Sequence, residues 1–120
     1  MSDQKQGPTR HGVGEIMSQA VVHGGTVYLS GQVAGDGSTT VAGQTRDVLR
    51  QIDELLATVG SDRSRLVSVN IWLRDIADFD EMNGVWLEWV EGIEPPARAT
   101  VQSQLAGEQW LVEIMAVAAV

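Results

Sequence analysis

The sequence predicts an α+β fold, one mixed sheet with two helices packed on one face, and three observations predict it. Apolar residues recur at helical spacing in two stretches, 41–59 and 78–90. The stretches 17–22, 26–32, 66–73, 98–105 and 111–119 read as strands bounded by Gly, Pro and polar residues. The resulting order, β-β-α-β-α-β-β, leaves two helices to cover one sheet, so the second sheet face must meet water or a neighbour.

Residues 1–12 (MSDQKQGPTRHG) carry Gly, Pro and charge without periodicity and read as a flexible N-terminal arm, ahead of a single domain over 13–120. The first two strands are split by Gly24-Gly25, a pair that permits the positive φ of a tight hairpin. Residues 33–39 (VAGDGST) read as a loop. In the first helix Val48, Ile52, Leu55, Leu56 and Val59 form one stripe, with Arg46, Arg50, Asp53 and Glu54 off it. Thr40 suits its N-cap and Gly60 its exit. In 66–73, Val67, Val69, Ile71 and Leu73 share a face; Ser68, Asn70 and Trp72 share the other. A tryptophan opposite the core face implies that this second face is covered too. Phe79, Met82, Trp86 and Val90 form the inner stripe of the second helix, which Gly92 and Pro95-Pro96 end. If the last two strands pair as a hairpin about 107–108, Arg98 faces residue 117 and Glu113 faces residue 102, leaving the two apart.

A chain of 120 residues holds one core. It has no cysteine, hence no disulfide framework and no thiolate nucleophile. No apolar run approaches the roughly 18 residues that cross a bilayer, and the polar N-terminus has no secretory h-region. A cytoplasmic setting without a membrane partner is expected. Net charge is −8, from 16 acidic against 8 basic side chains, which argues against nucleic acid as a partner because phosphate contacts need a basic stripe. Uncovered sheet surface favours burial against sister subunits in a closed ring.

Glu113, within LVEIMAVAAV, is the most informative residue. A carboxylate on an otherwise apolar strand must be paired, hydrogen-bonded or at the wall of a wet pocket, either as an ion-pair partner or as a site acid. Arg98 follows Pro95-Pro96-Ala97, which stiffen the approach, and its guanidinium is a rigid fork for carboxylates or a surface arginine. Gly31 marks a close approach to the backbone or a bend. Asn83, beside the inner stripe, is a packing amide or a ligand contact. His11 and His23 read as solvated. No metal-ligand set, Ser-His-Asp arrangement or phosphate loop can be assembled.

The segments VVHGGTVYLSGQVA, GQTRDVLRQIDELLATVGSD, LVSVNIWLRDIADFDEMNGVW, PPARATV and LVEIMAVAAV, in this order, resemble the RidA/YjgF family. The resemblance implies a chorismate-mutase-like fold assembled as a homotrimer with ligand clefts between subunits. It also implies cofactor-independent hydrolysis of reactive enamines and imines, such as 2-iminopropanoate, to 2-oxo acids and ammonia. Arg98 would clamp the substrate carboxylate, Glu113 would orient and activate water, and Gly31, Asn83, Met17 and Thr100 would line the cleft. Met17 stands where archetypal members often have tyrosine, Thr100 where cysteine is frequent, and residues 106–110 differ from the usual LPK-like segment; these departures bear on which imine is preferred. The alternative is a non-catalytic trimeric binding protein that holds a small carboxylate in the same clefts.

Overall fold

Where apolar residues repeat at helical spacing the chain forms α1 (Val41–Thr58) and α2 (Phe79–Trp89), in a computed structural model that describes residues 7–120. Thr40 caps α1 by accepting a hydrogen bond from the Gly43 N–H at 3.0 Å, and Gly60 takes φ +77° just past its end. Val48, Leu49, Ile52 and Leu56 are buried on its inner stripe, and Leu55 and Val59 pack partly against the same core. A short 3-10 turn (Ile76–Asp78) leads into α2, whose Met82, Val85, Trp86 and Trp89 are buried. Asp53 of α1 binds both Arg63 (2.6 Å) and the Trp89 indole N–H (3.0 Å), which ties the two helices together.

The strands are β1 (Thr9–Val13), β2 (Ser18–His23), β3 (Thr26–Leu29), β4 (Leu66–Leu73), β5 (Ala97–Gln102) and β6 (Val112–Ala119). They form one six-stranded mixed sheet in the order β1-β2-β3-β6-β4-β5, parallel only between β4 and β5. Val27, Leu29, Val69, Ile71, Leu73, Val112, Ile114, Ala116 and Ala118 turn toward the helices and are buried. The opposite, open face carries Tyr28, Asn70, Trp72, Ala97, Ala99, Val101, Glu113, Met115 and Val117, none of them buried.

Four expectations change. Residues 9–12 are not part of a loose arm: they begin β1, which pairs antiparallel with β2 (His11 opposite Ala20). Its ladder is made by backbone groups, so side-chain alternation does not reveal it; residues 1–6 lie outside the described residues. The last two strands do not form a hairpin. β5 runs parallel to β4 through the crossover that contains α2, and β6 inserts between β3 and β4. Arg98 therefore stands beside Val69 rather than residue 117, and Glu113 beside Trp72 rather than residue 102. Val67, expected on the core face, is 54% exposed because the register shifts between Leu66 and Ser68, a β-bulge that turns one residue outward. Finally, β3 stops at Leu29; Ser30 and Gly31 lie beyond it, and Gln32 returns to β6 as a single bridge to Ile114.

Candidate functional site

Strand β5 alternates, so Arg98 and Thr100 share the face that α2 covers. Three residues of α2 at i, i+4 and i+7 receive the guanidinium. Asn83 Oδ1 accepts from Arg98 Nη1 at 2.8 Å, and the guanidinium carbon stands 5.6 Å from the Phe79 ring centre and 5.1 Å from that of Trp86. Each cation–π contact contributes about 0.5–1 kcal/mol and removes rotamer freedom before a ligand arrives. Burial lowers the Arg98 pKa from its ordinary value, and arginine remains charged all the same. Among the described residues no carboxylate pairs with Arg98. Beside it, Thr100 Oγ1 is buried and has no hydrogen-bond partner.

Glu113 belongs to a different neighbourhood. Its carboxylate occupies the space where any side chain on residue 31 would begin: a Cβ on Gly31 would collide with Oε2 and stand 3.0 Å from Cδ. Gly31 does not have a positive φ, so glycine is required here for close approach rather than for backbone geometry. The flanking amides are occupied, Ser30 N donating to Gln19 O (3.0 Å) and Gln32 N to Ile114 O (2.8 Å), while the Gly31 N–H has no backbone acceptor among the described residues. Glu113 is half-buried and makes no salt bridge among the described residues. An acid packed where a Gly31 side chain would begin, and beside Trp72 in register, is suited to orienting a water or a polar ligand atom.

The loop that leads away from this acid is built in. Asp47 of α1, 5% exposed, accepts from the Gly35 N–H and from Gln51 Nε2, both at 2.8 Å. Burial raises its pKa, but those bonds and Arg50 outweigh the burial and hold the carboxyl below its ordinary value. Gln44, 1% exposed, donates to Ser38 O and Gln109 O and accepts from the Leu111 N–H, which fixes the residue that leads into β6, two before Glu113.

The sequence-predicted residues thus fall into two groups. Asn83, Arg98 and Thr100 lie together where α2 meets the edge strand β5. Gly31 and Glu113 lie together on the open face, and Met17, 49% exposed, precedes β2 at the end of the sheet where β3 runs into Gly31. Within one chain the groups do not meet: Arg98 pairs with the inward Val69 and Glu113 with the outward Trp72, on opposite faces of the sheet. They are also two strand spacings apart, roughly 10 Å. Phe79 and Trp86 escape sequence reasoning as site residues, because an apolar stripe at helical spacing reads as core. Their signal is the spacing of Phe79, Asn83 and Trp86, which aligns an amide with two rings. No helix of the described residues is long and apolar enough to cross a membrane, and they contain no cluster of potential metal ligands.

Comparison with known proteins identifies the fold and the family. The profile of the Endoribonuclease L-PSP family matches residues 14–120. A RutC family protein of Haemophilus ducreyi is 38% identical over 112 residues, covering 93% of this chain and 96% of that protein. The RutC family protein YoaB of Escherichia coli is 39% identical, covering 86% and 90%. The crystal structure of a YjgF-family protein of Neisseria meningitidis superposes with a TM-score of 0.91 at 43% identity, covering 94% of each chain. With a match across nearly its whole length and these relatives, the chain belongs to the Endoribonuclease L-PSP family, the family of the YjgF and RutC proteins.

Proposed function

We propose that the protein is a cofactor-independent deaminase of 2-imino acids and their enamine tautomers, working as a homotrimer whose sites lie between subunits. The observation that carries this reading is the unpaired Glu113 carboxylate seated against Gly31, on a strand that is otherwise apolar. A protein that only stored carboxylates would gain nothing from a second negative charge near the ligand; hydrolysis uses one.

Because Arg98 and Glu113 lie on opposite faces of their own sheet, the site takes the edge group of one protomer and the open-face group of the next. The open face, with Tyr28, Val67 and Val101 each about half exposed, is the surface such an assembly buries. Arg98 holds the substrate carboxylate with its fork, already oriented by Asn83. Glu113 takes a proton from a water as the water's oxygen bonds to the imine carbon. The C=N π pair moves to nitrogen, which receives a proton. Collapse of the resulting carbinolamine breaks the C–N bond and gives 2-oxo acid and ammonia. The imine carbon is already electrophilic, so orientation and one proton-transfer group suffice, the latter contributing about 10²–10⁴-fold. RNA cleavage, the activity in the family's name, is disfavoured for this chain by its net charge of −8.

The test generates imines in place with an amino-acid oxidase and traps survivors with semicarbazide, varying the amino acid. The protein is expected to lower the trapped signal, and Arg98→Ala to abolish that effect. Identical behaviour of the two proteins across all imines would sink the deaminase reading. Binding of 2-oxo acids without turnover would favour a carboxylate-binding protein instead.

A further inference from the structure

We propose that Gln19 is a positioning residue for the Glu113 acid, holding the Ser30-Gly31-Gln32 segment at the place where the carboxylate seats. The proposal rests on the reading of Glu113 as the group that takes the water's proton. Strand β3 stops at Leu29, so Ser30 and Gly31 lie outside the regular ladder and need another hold. Gln19 of β2 supplies it on both sides of Gly31. Its main-chain oxygen accepts from the Ser30 N–H at 3.0 Å. Its side-chain Oε1 accepts from Ser30 Oγ at 3.2 Å and from Gln32 Nε2 at 3.1 Å.

The direction of these bonds follows from the acceptors. Gln32 is 7% exposed, and its Nε2 also donates to the Ser30 carbonyl oxygen at 3.0 Å. A carbonyl only accepts, so Gln32 presents its NH2 group to this cluster and Gln19 must answer with its oxygen. The reverse orientation of the Gln19 amide would set donor against donor. Gln32 in turn exchanges two backbone bonds with Ile114, the residue after Glu113, at 2.8 and 3.1 Å. Gly31 is thereby fixed between two anchored neighbours, and the Glu113 carboxylate fills the space beside it. Strand β1 leaves room for the arrangement: a Cβ on Gly12 would stand 2.9 Å from both Cβ and Cγ of Gln19. An acid that orients water tolerates little displacement, since a shift of about 1 Å can cost ~10²-fold in rate. A side chain that touches no reacting atom thus sets kcat.

The test compares wild type with Gln19→Met, which keeps the length and removes the strong acceptor, and Gln19→Glu, which keeps an acceptor. The readings are taken on the intact oligomer: kcat and KM in the imine assay, the Kd for pyruvate as a stable 2-oxo acid probe, and Tm. Gln19→Met is expected to lower kcat about ten- to a hundredfold, with KM and Kd within about threefold of wild type. Gln19→Glu should recover kcat to within about fivefold of wild type. In a Glu113→Gln background Gln19→Met should cost no further kcat, because the acid it positions is already gone. A wild-type kcat in Gln19→Met overturns the proposal, as does a Gln19→Glu protein as slow as Gln19→Met. An equal loss in both backgrounds also overturns it, and with a lowered Tm would assign Gln19 to packing. Should Gln19→Met fail to assemble, Gly12→Ala, which crowds the Gln19 stem from β1, is read in the same two backgrounds by the same criteria. If wild type consumes no imine, or Glu113→Gln keeps full kcat, the reading of Glu113 fails, and this inference fails with it. Wild type and Glu113→Gln alone tell the two failures apart.

Discussion

A guanidinium bonded to an amide and laid over two aromatic rings has lost most of its freedom before a ligand arrives, and this makes Arg98 more than a positive charge. Lysine in its place keeps the charge but loses the fork and the fit over Phe79 and Trp86. Arg98→Lys is therefore expected to raise KM on the order of a hundredfold in the imine assay, with kcat less affected. Glu113→Gln should do the opposite, lowering kcat about 10²–10⁴-fold while pyruvate binding persists or tightens. Gly31→Ala places a Cβ inside the Glu113 carboxylate and should reproduce the kcat loss with Arg98-dependent binding intact. If it behaves as wild type, the contact does not matter to turnover. Arg98 and Glu113 stood out in the sequence because each is a charge in an apolar or proline-stiffened context. Phe79 and Trp86 did not, because burial and ligand support make the same apolar stripe. The Gly31 contact was half visible: a glycine after a strand signals close approach, but which atom approaches is decided by a strand more than eighty residues away.

Local signals sufficed for both helices, since caps, stripes and stops lie within a few residues of each other. They failed where pairing is remote. That β5 runs parallel beside β4, and that β6 separates β3 from β4, depends on which ladders leave the helices able to cover one face, and no residue in 98–119 states it. β1 is invisible for a related reason: four of its five residues are polar or glycine, with Gly12 at φ +61°, and it forms its ladder by backbone groups. The loop after Gly31 looked flexible by composition, but Asp47 holds it through the Gly35 N–H. That carboxyl sits below its ordinary value of 3.8 in the folded protein, so its stabilisation is complete above that pH and is lost as pH falls through the lower, folded value. Asp47→Asn should cost about 1–3 kcal/mol at pH 7. Denaturant unfolding over a pH series should show the gap between variant and wild type closing in acid. A gap independent of pH would mean that the charge is not what holds the loop.

The whole molecule presents one covered and one open sheet face, and the open face combines half-exposed apolar side chains with an acid. A charge placed there, as in Val117→Lys, should dissociate the oligomer and abolish turnover, although Val117 and Arg98 lie on opposite sides of the sheet. Sedimentation and the imine assay check the two effects together. A monomer that retains full activity would refute a site shared between subunits.

That sharing has a consequence readable in one mixing experiment. Arg98→Ala and Glu113→Gln are each expected to be inactive alone. When co-expressed in equal amounts, a ring in which Arg98 comes from one protomer and Glu113 from the next regains one intact site in every mixed trimer. Random assembly then restores about a quarter of the wild-type rate. Activity no greater than that of either variant alone, from oligomers shown to contain both chains, would contradict a site built from two protomers.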